Sequence, residues 1–204
     1  MVLHYIFAGL IGYLLGSINS ALIVGKFVGV DIREHGSKNA GMTNAIRVFG
    51  KKKALFVLLG DILKGVLACI AGTLISRDTQ GVMLFAGLAC VIGHNWPVYF
   101  NFKGGKGALT SITVLFFADY RIALILIGLF IVIVALTKYV SLGSMTGAIL
   151  LPVFGLLFFK GIEFFVFSMI LTVMLVWRHR TNIKRLLKGD ESKLNLKKKA
   201  QLEQ

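Results

Sequence analysis

Residues 3–25, LHYIFAGLIGYLLGSINSALIVG, decide the class of fold to which this chain belongs. A helix needs about 20 mainly apolar residues to cross the hydrocarbon core of a bilayer, and this stretch carries no Lys, Arg, Asp or Glu. It also has neither the basic start nor the small-residue cleavage site of a signal peptide. We therefore expect a retained transmembrane helix.

Further stretches of similar character follow along the chain, at residues 54–76, 81–93, 122–137, 140–159 and 162–177. The region 107–135 has two interpretations. It forms either one helix of about 29 residues, with Asp119 and Arg121 in its middle, or two helices over 107–118 and 122–137 that turn at residues 118–121.

The composition combines high hydrophobicity with a large positive charge. The 204 residues are 56% hydrophobic, with a formal net charge of +14 and a mean hydropathy of +0.80. In a soluble chain this charge would suggest a nucleic-acid partner, but the apolar stretches exclude that function. Cys69 and Cys90 lie within apolar runs and the nine acidic residues are mostly isolated, so we expect no disulfide framework, metal site or other cofactor.

The distribution of charge predicts the topology. With seven spans, 19 Lys and Arg residues fall in loops and tail on one side of the membrane and three on the other. Six spans would move the basic C-terminal tail to the side poor in charge. The positive-inside rule therefore favours an all-α integral membrane protein of seven helices, with the N-terminus outside and the C-terminus cytoplasmic. We expect one membrane domain over residues 1–190, with interfacial cytoplasmic loops and helices, and a basic tail over 191–204.

The first of three polar segments is HGSKNAGMTNAIR, residues 35–47. A short interfacial helix is predicted from about Thr43, with Met42, Ile46 and Phe49 on its apolar face. Its polar face is predicted to carry Asn44, Arg47 and Lys51. Ser37, Asn39 and Gly41 precede the helix, where a hydroxyl, an amide and backbone N–H groups suit an anion. An ordinary N-cap and loop is the alternative.

The second polar segment is GHNWPVYFNFKGGKG, residues 93–107. Three glycines and two lysines at 103–107 lead directly into the next apolar stretch, which is typical of a phosphate-binding loop. The spacing is not that of a Walker A motif, and Gly107 replaces the Ser or Thr that binds Mg²⁺ there. A flexible basic turn at the membrane surface is the alternative.

The third polar segment is WRHRTNIKRLLKG, residues 177–189, which we expect to continue the last span and to end near Gly189. His179 and Asn182 lie three residues apart and share a helix face. Arginines just inside the membrane usually anchor topology, but the neighbouring cations favour a neutral histidine that can act as a base.

All three polar segments fall on the cytoplasmic side in the seven-span topology. They bring cations together without a matching set of carboxylates, which indicates a site for more than one phosphate. These cations and the histidine between them are Arg47, Lys103, Lys106, Arg178, His179 and Arg180.

Together the segments resemble the signatures of the bacterial acyl-phosphate:glycerol-3-phosphate acyltransferases. The matching patterns are Gly-Ser-x-Asn-x-Gly-x-Thr-Asn-x-x-Arg at 36–47, Gly-His-x-x-Pro-x-x-Phe-x-Phe-Lys-Gly-Gly-Lys-Gly at 93–107 and Arg-His-Arg-x-Asn-Ile-x-Arg-Leu at 178–186. The resemblance implies an enzyme of the bacterial inner membrane that moves a fatty acyl group from acyl phosphate to the 1-hydroxyl of sn-glycerol 3-phosphate. The products are 1-acylglycerol 3-phosphate (lysophosphatidate) and phosphate, in the first acylation of phospholipid synthesis.

The resemblance also implies roles for individual residues. The catalytic set is Ser37, His179 and Asn182. The substrate-binding set is Asn39, Gly41, Thr43, Asn44, Arg47, His94, Lys103, Gly104, Gly105, Lys106, Gly107, Arg178 and Arg180. Three assignments of the chemistry stay open: His179 as the base, the phosphate of glycerol 3-phosphate as the base, or Ser37 as an acylated nucleophile. The partners are then the two substrates and the bilayer, and the expected state is a monomer.

Other functions fit the residues less well. A transporter of organic phosphates would explain the cations, but they lie on one side and no repeat relates the two halves. Other lipid enzymes fail because no His-x4-Asp motif and no aspartate-rich motif of CDP-alcohol phosphotransferases occurs. An anchor for anionic lipids would explain the tail but not the glycine-rich loop.

Overall fold

A computed structural model of the protein describes residues 1–77, 79–158 and 160–195, so the lysines at 197–199 lie outside the described residues. The described residues form ten α-helices and no strand. The helices are α1 (Val2–Ser17), α2 (Ser20–Phe27), α3 (Met42–Phe49), α4 (Lys51–Ile75), α5 (Gln80–Asn95), α6 (Ala108–Ala118), α7 (Tyr120–Thr137), α8 (Val140–Leu157), α9 (Ile162–Arg178) and α10 (Arg180–Lys188). They divide into two compact units, over residues 1–114 and 115–195.

In the first unit, the predicted first span is confirmed as α1 followed by α2, with a break at residues 18–19. Asn19 has extended backbone angles, and its side-chain oxygen accepts a hydrogen bond from the Leu22 N–H at 3.1 Å. This is an N-cap, which satisfies a backbone donor that the start of α2 would otherwise leave unpaired. The polar Asn19 inside an apolar stretch therefore has a local structural role.

Glycines let α1 approach α5 at backbone distance. A Cβ added to Gly12 would overlap the Ala86 carbonyl oxygen, and one added to Gly16 would overlap that of Cys90. Gly93 on α5 meets the Tyr13 carbonyl in the same way. Close contact through small residues is typical of helix pairs in membranes, so this packing explains the glycines at the C-terminal half of α1.

We expect Gly16→Ala to lower the free energy of unfolding, because the new methyl group would push α1 away from α5. The expected loss is about 1–3 kcal/mol, the range found for overpacked sites. Gly147→Ala is the matched control, because nothing lies within 4 Å of a Cβ added there. Unfolding of both variants in mixed micelles measures the difference, and an equally stable Gly16→Ala protein would contradict this packing.

The ambiguous region 107–135 is resolved as two helices, α6 and α7, of which α7 lies wholly in the second unit. Asp119 separates them, because its carboxylate caps α7 by accepting the N–H of Arg121 at 2.9 Å. The same carboxylate pairs with the side chains of Arg121 and Lys160, each at 2.8 Å. These two cations therefore share one end of the unit.

The pKa of Asp119 is held well below its usual range, chiefly by the hydrogen bond from the Arg121 side chain. A carboxyl whose folded pKa is depressed stabilises the fold above its unfolded pKa of about 4 and loses that contribution as the pH falls. We expect Asp119→Asn, which keeps a good N-cap, to lower the melting temperature at pH 7. The difference from wild type should shrink below about pH 4.

Thermal unfolding at several pH values measures this effect. Glu163→Gln is the control, because Glu163 is exposed and has no ion pair within the described parts of the chain. A melting-temperature difference for Asp119→Asn that does not change between pH 7 and pH 3 would contradict the ion-pair explanation.

Five helical stretches among the described residues are long and apolar enough to span a bilayer: Val2–Phe27, Lys51–Ile75, Gln80–Phe100, Tyr120–Thr137 and Val140–Leu157. Helices α9 and α10 form a sixth if they are taken as one span, which is bent by 55°. Helix α6 is apolar but has 11 residues, which is short for a full crossing. The protein is thus a helical membrane protein, and the seventh span stays a prediction.

Candidate active site

The first polar segment is organised by the side chain of Asn44, which is fully buried. Its Oδ1 accepts the backbone N–H of Ser37 at 2.8 Å, and its Nδ2 donates to the carbonyls of Ile32 and His35 at 3.2 and 3.0 Å. Both amide hydrogens are used in the loop. Asn44 thus positions the backbone of Ser37, and its substrate-binding role stays a prediction.

The predicted short helix is confirmed as α3, but it ends before Lys51, which was predicted to lie on its polar face. Met42 and Ile46 pack against a buried cluster that includes Phe49, as the apolar pattern indicated. The helix ends at Phe49, because Gly50 has a φ of 83° and starts a new direction. Lys51 consequently belongs to α4 and does not share a face with Arg47.

Between these elements, Arg33 connects the first polar segment to the second. Its guanidinium binds the Asp31 carboxylate at 2.7 Å and donates to the carbonyls of Phe100 and Lys103 at 3.3 and 3.1 Å. The hydrogen bond from Arg33 lowers the pKa of Asp31. The Asp31–Arg33 ion pair was not predicted from the sequence, although the sequence shows an acidic and a basic residue two positions apart.

The glycine-rich loop folds back on the end of α5. The N–H of Gly104 donates to the Asn95 carbonyl at 3.2 Å, and the N–H of Gly105 donates to the His94 carbonyl at 3.0 Å. These two amides are thus engaged within the protein. The loop still leads into α6 through Gly107, as predicted.

Close packing explains why glycines occupy positions 104 and 105 of this loop. A Cβ on Gly105 would overlap Nε2 of His94 and lie 2.5 Å from the Ala40 carbonyl oxygen. A Cβ on Gly104 would overlap the His94 carbonyl oxygen. Gly107 has a φ of 78°, which a residue with a side chain rarely adopts. The loop therefore lies directly against His94 and against the first polar segment.

Asn95 is a residue of this site that the sequence analysis missed. It is fully buried, and neither polar atom of its side chain has a hydrogen-bond partner within the described residues. Its Oδ1 lies 2.9 Å from the position of a Cβ on Gly107. Because an unpaired buried amide is costly, its place beside the loop favours a bound polar group there. The only signal was its position next to His94 in the motif.

A buried cluster of charged side chains lies on the other side of His94. Lys64 and Asp61, three residues apart on α4, form an ion pair of 2.8 Å. The Lys64 ammonium also lies 2.8 Å from Nδ1 of His94, and the Ser20 hydroxyl donates to Asp61 at 3.1 Å. His94 therefore has Asp61 and Lys64 on its Nδ1 side and the glycine-rich loop on its Nε2 side.

In the second unit, the third polar segment bends at His179. It was expected to continue the last span, but α9 and α10 meet at an angle of 55° before the segment ends at Gly189. His179 is buried at this bend, with Nδ1 2.8 Å from the Leu175 carbonyl oxygen. Since a carbonyl only accepts, Nδ1 must carry the hydrogen, and in the neutral ring the lone pair is on Nε2.

Asn182 belongs to a network around Glu191. The Glu191 carboxylate accepts hydrogen bonds from Asn182 at 2.6 Å, from Ser141 at 2.8 Å and from Arg185 at 2.7 Å. The hydrogen bond from Arg185 helps to lower the pKa of Glu191 against the opposing effect of burial. The predicted boundary between domain and tail, at residue 190, falls beside this network. Ser141 and Glu191 were not predicted as residues of the site.

The structure brings the predicted site residues into two groups, one in each unit. In the first unit the loop before α3 and the loop after α5 are adjacent, with Ser37, Asn39, Thr43, Arg47 and Lys106 partly exposed and Lys103 exposed. In the second unit, His179 and Asn182 are buried, Arg178 is partly exposed, and Arg180 is stacked on Trp177 at 4.4 Å. No group of three or more His, Cys, Asp or Glu suited to a metal ion occurs in the described part of the chain.

Comparison with known proteins identifies the family. The family model described as "Glycerol-3-phosphate acyltransferase" matches residues 6–189. A glycerol-3-phosphate acyltransferase of Thermoanaerobacter sp. (strain X514) is 44% identical over 196 residues, which cover 96% of this chain and 98% of that protein. One of Alkaliphilus metalliredigens (strain QYMF) is 46% identical over 186 residues, covering 91% of this chain and 93% of that protein.

Two solved structures of a glycerol 3-phosphate acyltransferase are also similar to this chain. The glycerol 3-phosphate form of PlsY (YgiH), an integral membrane glycerol 3-phosphate acyltransferase, has a TM-score of 0.89 and 36% identity. Its lysophosphatidic acid form has a TM-score of 0.85 and 35% identity. Each covers 94% of this chain and 96% of that chain. This chain belongs to the glycerol-3-phosphate acyltransferase family.

Proposed function

We propose that this protein transfers a fatty acyl group from acyl phosphate to the 1-hydroxyl of sn-glycerol 3-phosphate, producing lysophosphatidate and phosphate. The observation that carries this proposal is its similarity to PlsY, whose crystal structures represent a glycerol 3-phosphate form and a lysophosphatidic acid form. These two molecules are the acceptor and the product of one acylation. Acyl phosphate is proposed as donor because the sequence signatures resemble those of the acyl-phosphate enzymes.

In the proposed reaction, the glycerol oxygen attacks the carbonyl carbon of acyl phosphate. The bond between this carbon and the bridging phosphate oxygen then breaks, phosphate leaves, and the hydroxyl proton passes to a base. Phosphate is a good leaving group, so positioning of the substrates and stabilisation of the developing charge are the main tasks of the protein. Lys103, Lys106 and Arg47 supply positive charge, and Ser37 supplies a hydrogen-bond donor.

His179 is the proposed base. Its Nδ1 faces the Leu175 carbonyl at 2.8 Å, and this contact leaves Nε2 as the proton-accepting nitrogen of the neutral ring. Asn182, held by Glu191 at 2.6 Å, is the proposed orienting group. The phosphate of glycerol 3-phosphate is the alternative base, in which case a His179→Gln variant would keep most of its kcat. Ser37 has no paired base within the described parts of the first unit, which disfavours the acylated-serine alternative.

The experiment is a turnover assay of the purified protein in lipid nanodiscs, with palmitoyl phosphate, glycerol 3-phosphate and excess EDTA. We expect lysophosphatidate and phosphate to form in equal amounts, and palmitoyl-CoA to give no lysophosphatidate. A folded protein that forms no product from palmitoyl phosphate, or that acylates from palmitoyl-CoA at a similar rate, would refute the proposed reaction.

We also propose that the protein is a monomer of the bacterial inner membrane, with seven spans, an external N-terminus, a cytoplasmic C-terminus and an active site that faces the cytoplasm. The excess of Lys and Arg in the loops that carry the three polar segments supports this orientation.

Cysteine labelling tests the orientation. Glu34 and Arg77 are exposed residues in loops at opposite ends of the first unit's long helices, whereas the native Cys69 and Cys90 are buried. We expect a thiol reagent that cannot cross the membrane to label Arg77→Cys in intact spheroplasts and Glu34→Cys in inverted vesicles. The reverse pattern would contradict the proposed orientation.

A further inference from the structure

The buried pair Asp61–Lys64 contacts the one ring nitrogen of His94 that faces away from the glycine-rich loop. All three side chains are almost completely buried. Lys64 Nζ lies 2.8 Å from Asp61 Oδ1, 2.8 Å from His94 Nδ1 and 3.2 Å from the Ile18 carbonyl oxygen. An ammonium group has three hydrogens and no acceptor, so these three acceptors match its three donors.

This arrangement determines which nitrogen of His94 carries the hydrogen. The Lys64 ammonium can only donate, so Nδ1 must accept and the neutral ring must be protonated at Nε2. Asp61 lies 3.6 Å from Nδ1, too far for a hydrogen bond. Asp61 therefore balances the charge of Lys64 and holds its ammonium group in place, and Lys64 donates the hydrogen bond to His94.

The Nε2–H then lies at the glycine-rich loop. A Cβ built on Gly105 would overlap Nε2, and the Gly105 N–H donates to the His94 carbonyl. The ring edge is thus held against the segment that carries Lys103 and Lys106. A donor there favours an anion, whereas the other tautomer would present a lone pair to it.

From this geometry we propose that Asp61 and Lys64 are positioning residues, which fix His94 as the Nε2–H tautomer so that it presents a hydrogen-bond donor at the phosphate-binding loop. The effect on catalysis rests on the proposed function, but the tautomer does not. His94 is thus a hydrogen-bond donor and not a general base. Helix α4 contributes to the reaction through Asp61 and Lys64, which act through His94 and not on the substrate.

The tautomer can be measured directly in the wild-type protein in nanodiscs by NMR of histidines labelled with ¹⁵N in the ring. The His94 signal is assigned by its loss in His94→Gln. We expect a protonated Nε2 and an unprotonated, hydrogen-bonded Nδ1. A His94 ring protonated at Nδ1, alone or together with Nε2, would overturn the proposal, whether or not the protein turns over palmitoyl phosphate.

Variants test the link to catalysis. Lys64→Met removes the donor and leaves Asp61 as an acceptor beside Nδ1, so we expect a hydrogen to move to Nδ1. The KM for the phosphate substrates should rise by about 10- to 100-fold, as when one hydrogen bond to a charged group is lost. In the double variant Asp61→Asn/Lys64→Met, the new amide can donate to Nδ1. We expect it to restore the Nε2–H tautomer and most of the lost activity.

The matched control is Lys160→Met, which removes the lysine from the Asp119 cluster in the second unit. It should leave the His94 spectrum unchanged. A Lys64→Met protein with raised KM but the wild-type tautomer would overturn the proposal, as would a double variant less active than Lys64→Met. If the wild-type tautomer is as expected and no substrate is turned over, the proposed function fails and the assignment of the cluster stands.

Discussion

Lys106→Ala is expected to lower kcat/KM for the acylation of glycerol 3-phosphate by about 100-fold, because truncating one partner of a hydrogen-bonded charge pair costs about 2–5 kcal/mol. Lys106 is partly exposed on the loop between His94 and α6, where the packing of Gly104 and Gly105 fixes the backbone. Steady-state kinetics with palmitoyl phosphate as donor measure the effect. Arg47→Ala should have an effect of similar size.

Lys52→Ala is the matched control, since it removes one positive charge from an exposed position at the start of α4 in the same unit. We expect its kcat/KM to stay within about twofold of wild type, because an exposed charge that binds no substrate contributes little. Equal losses for Lys52→Ala and Lys106→Ala would show that general surface charge matters and that the loop is not the binding site.

Gly105→Ala is expected to abolish activity, with a loss of at least about 100-fold, because small displacements of catalytic groups cost this much. Its methyl group would overlap Nε2 of His94 and crowd the Ala40 carbonyl. The imidazole would have to leave Lys64, or the loop would have to leave the first polar segment. The same turnover assay measures this loss.

Gly128→Ala is the comparison for that substitution. Gly128 lies in α7, where a Cβ would have nothing within 4 Å, so activity and folding should be retained. If Gly105→Ala kept wild-type kinetics, the close contact between the loop and His94 would have no part in the function.

Sequence periodicity and charge predicted the helices well where a span is uniformly apolar. The span boundaries near Gly25, Ser76 and Thr137 lie within two residues of the helix ends at Phe27, Ile75 and Thr137. Interruptions were harder to predict, because they depend on single side chains. Asp119 separates α6 from α7 by capping the second helix, a function that its sequence alone did not distinguish from a charge in the middle of one long helix.

The site was predicted as three polar segments, and the contacts that hold each segment came only from the structure. The loop around Ser37 depends on Asn44, which hydrophilicity placed on the polar face of α3 but which is buried. His94 depends on Asp61 and Lys64, about 30 positions earlier on another helix. Pairing over such distances has no local sequence pattern, since it is set by helix packing such as that of Gly16 on α5.

Glu191 shows the same limit in the second unit. In sequence it is one charged residue at the start of a polar tail, whereas in the structure it binds Ser141, Asn182 and Arg185. The sequence places Asn182 and Arg185, three residues apart, on one helix face. It does not show that both bind the carboxylate of Glu191. Contacts between side chains that meet only after the chain folds back can be identified only from the folded structure.

In the proposed reaction, the acyl group passes directly from acyl phosphate to glycerol 3-phosphate on this protein. The most direct measurement is a rapid-quench experiment on the purified enzyme with labelled palmitoyl phosphate, with and without glycerol 3-phosphate. We expect phosphate and lysophosphatidate in equal amounts when glycerol 3-phosphate is present, and no phosphate burst when it is absent. A phosphate burst equal to the enzyme concentration without glycerol 3-phosphate would show an acyl-enzyme intermediate and rule out direct transfer. Absence of lysophosphatidate when glycerol 3-phosphate is present would rule out the proposed reaction.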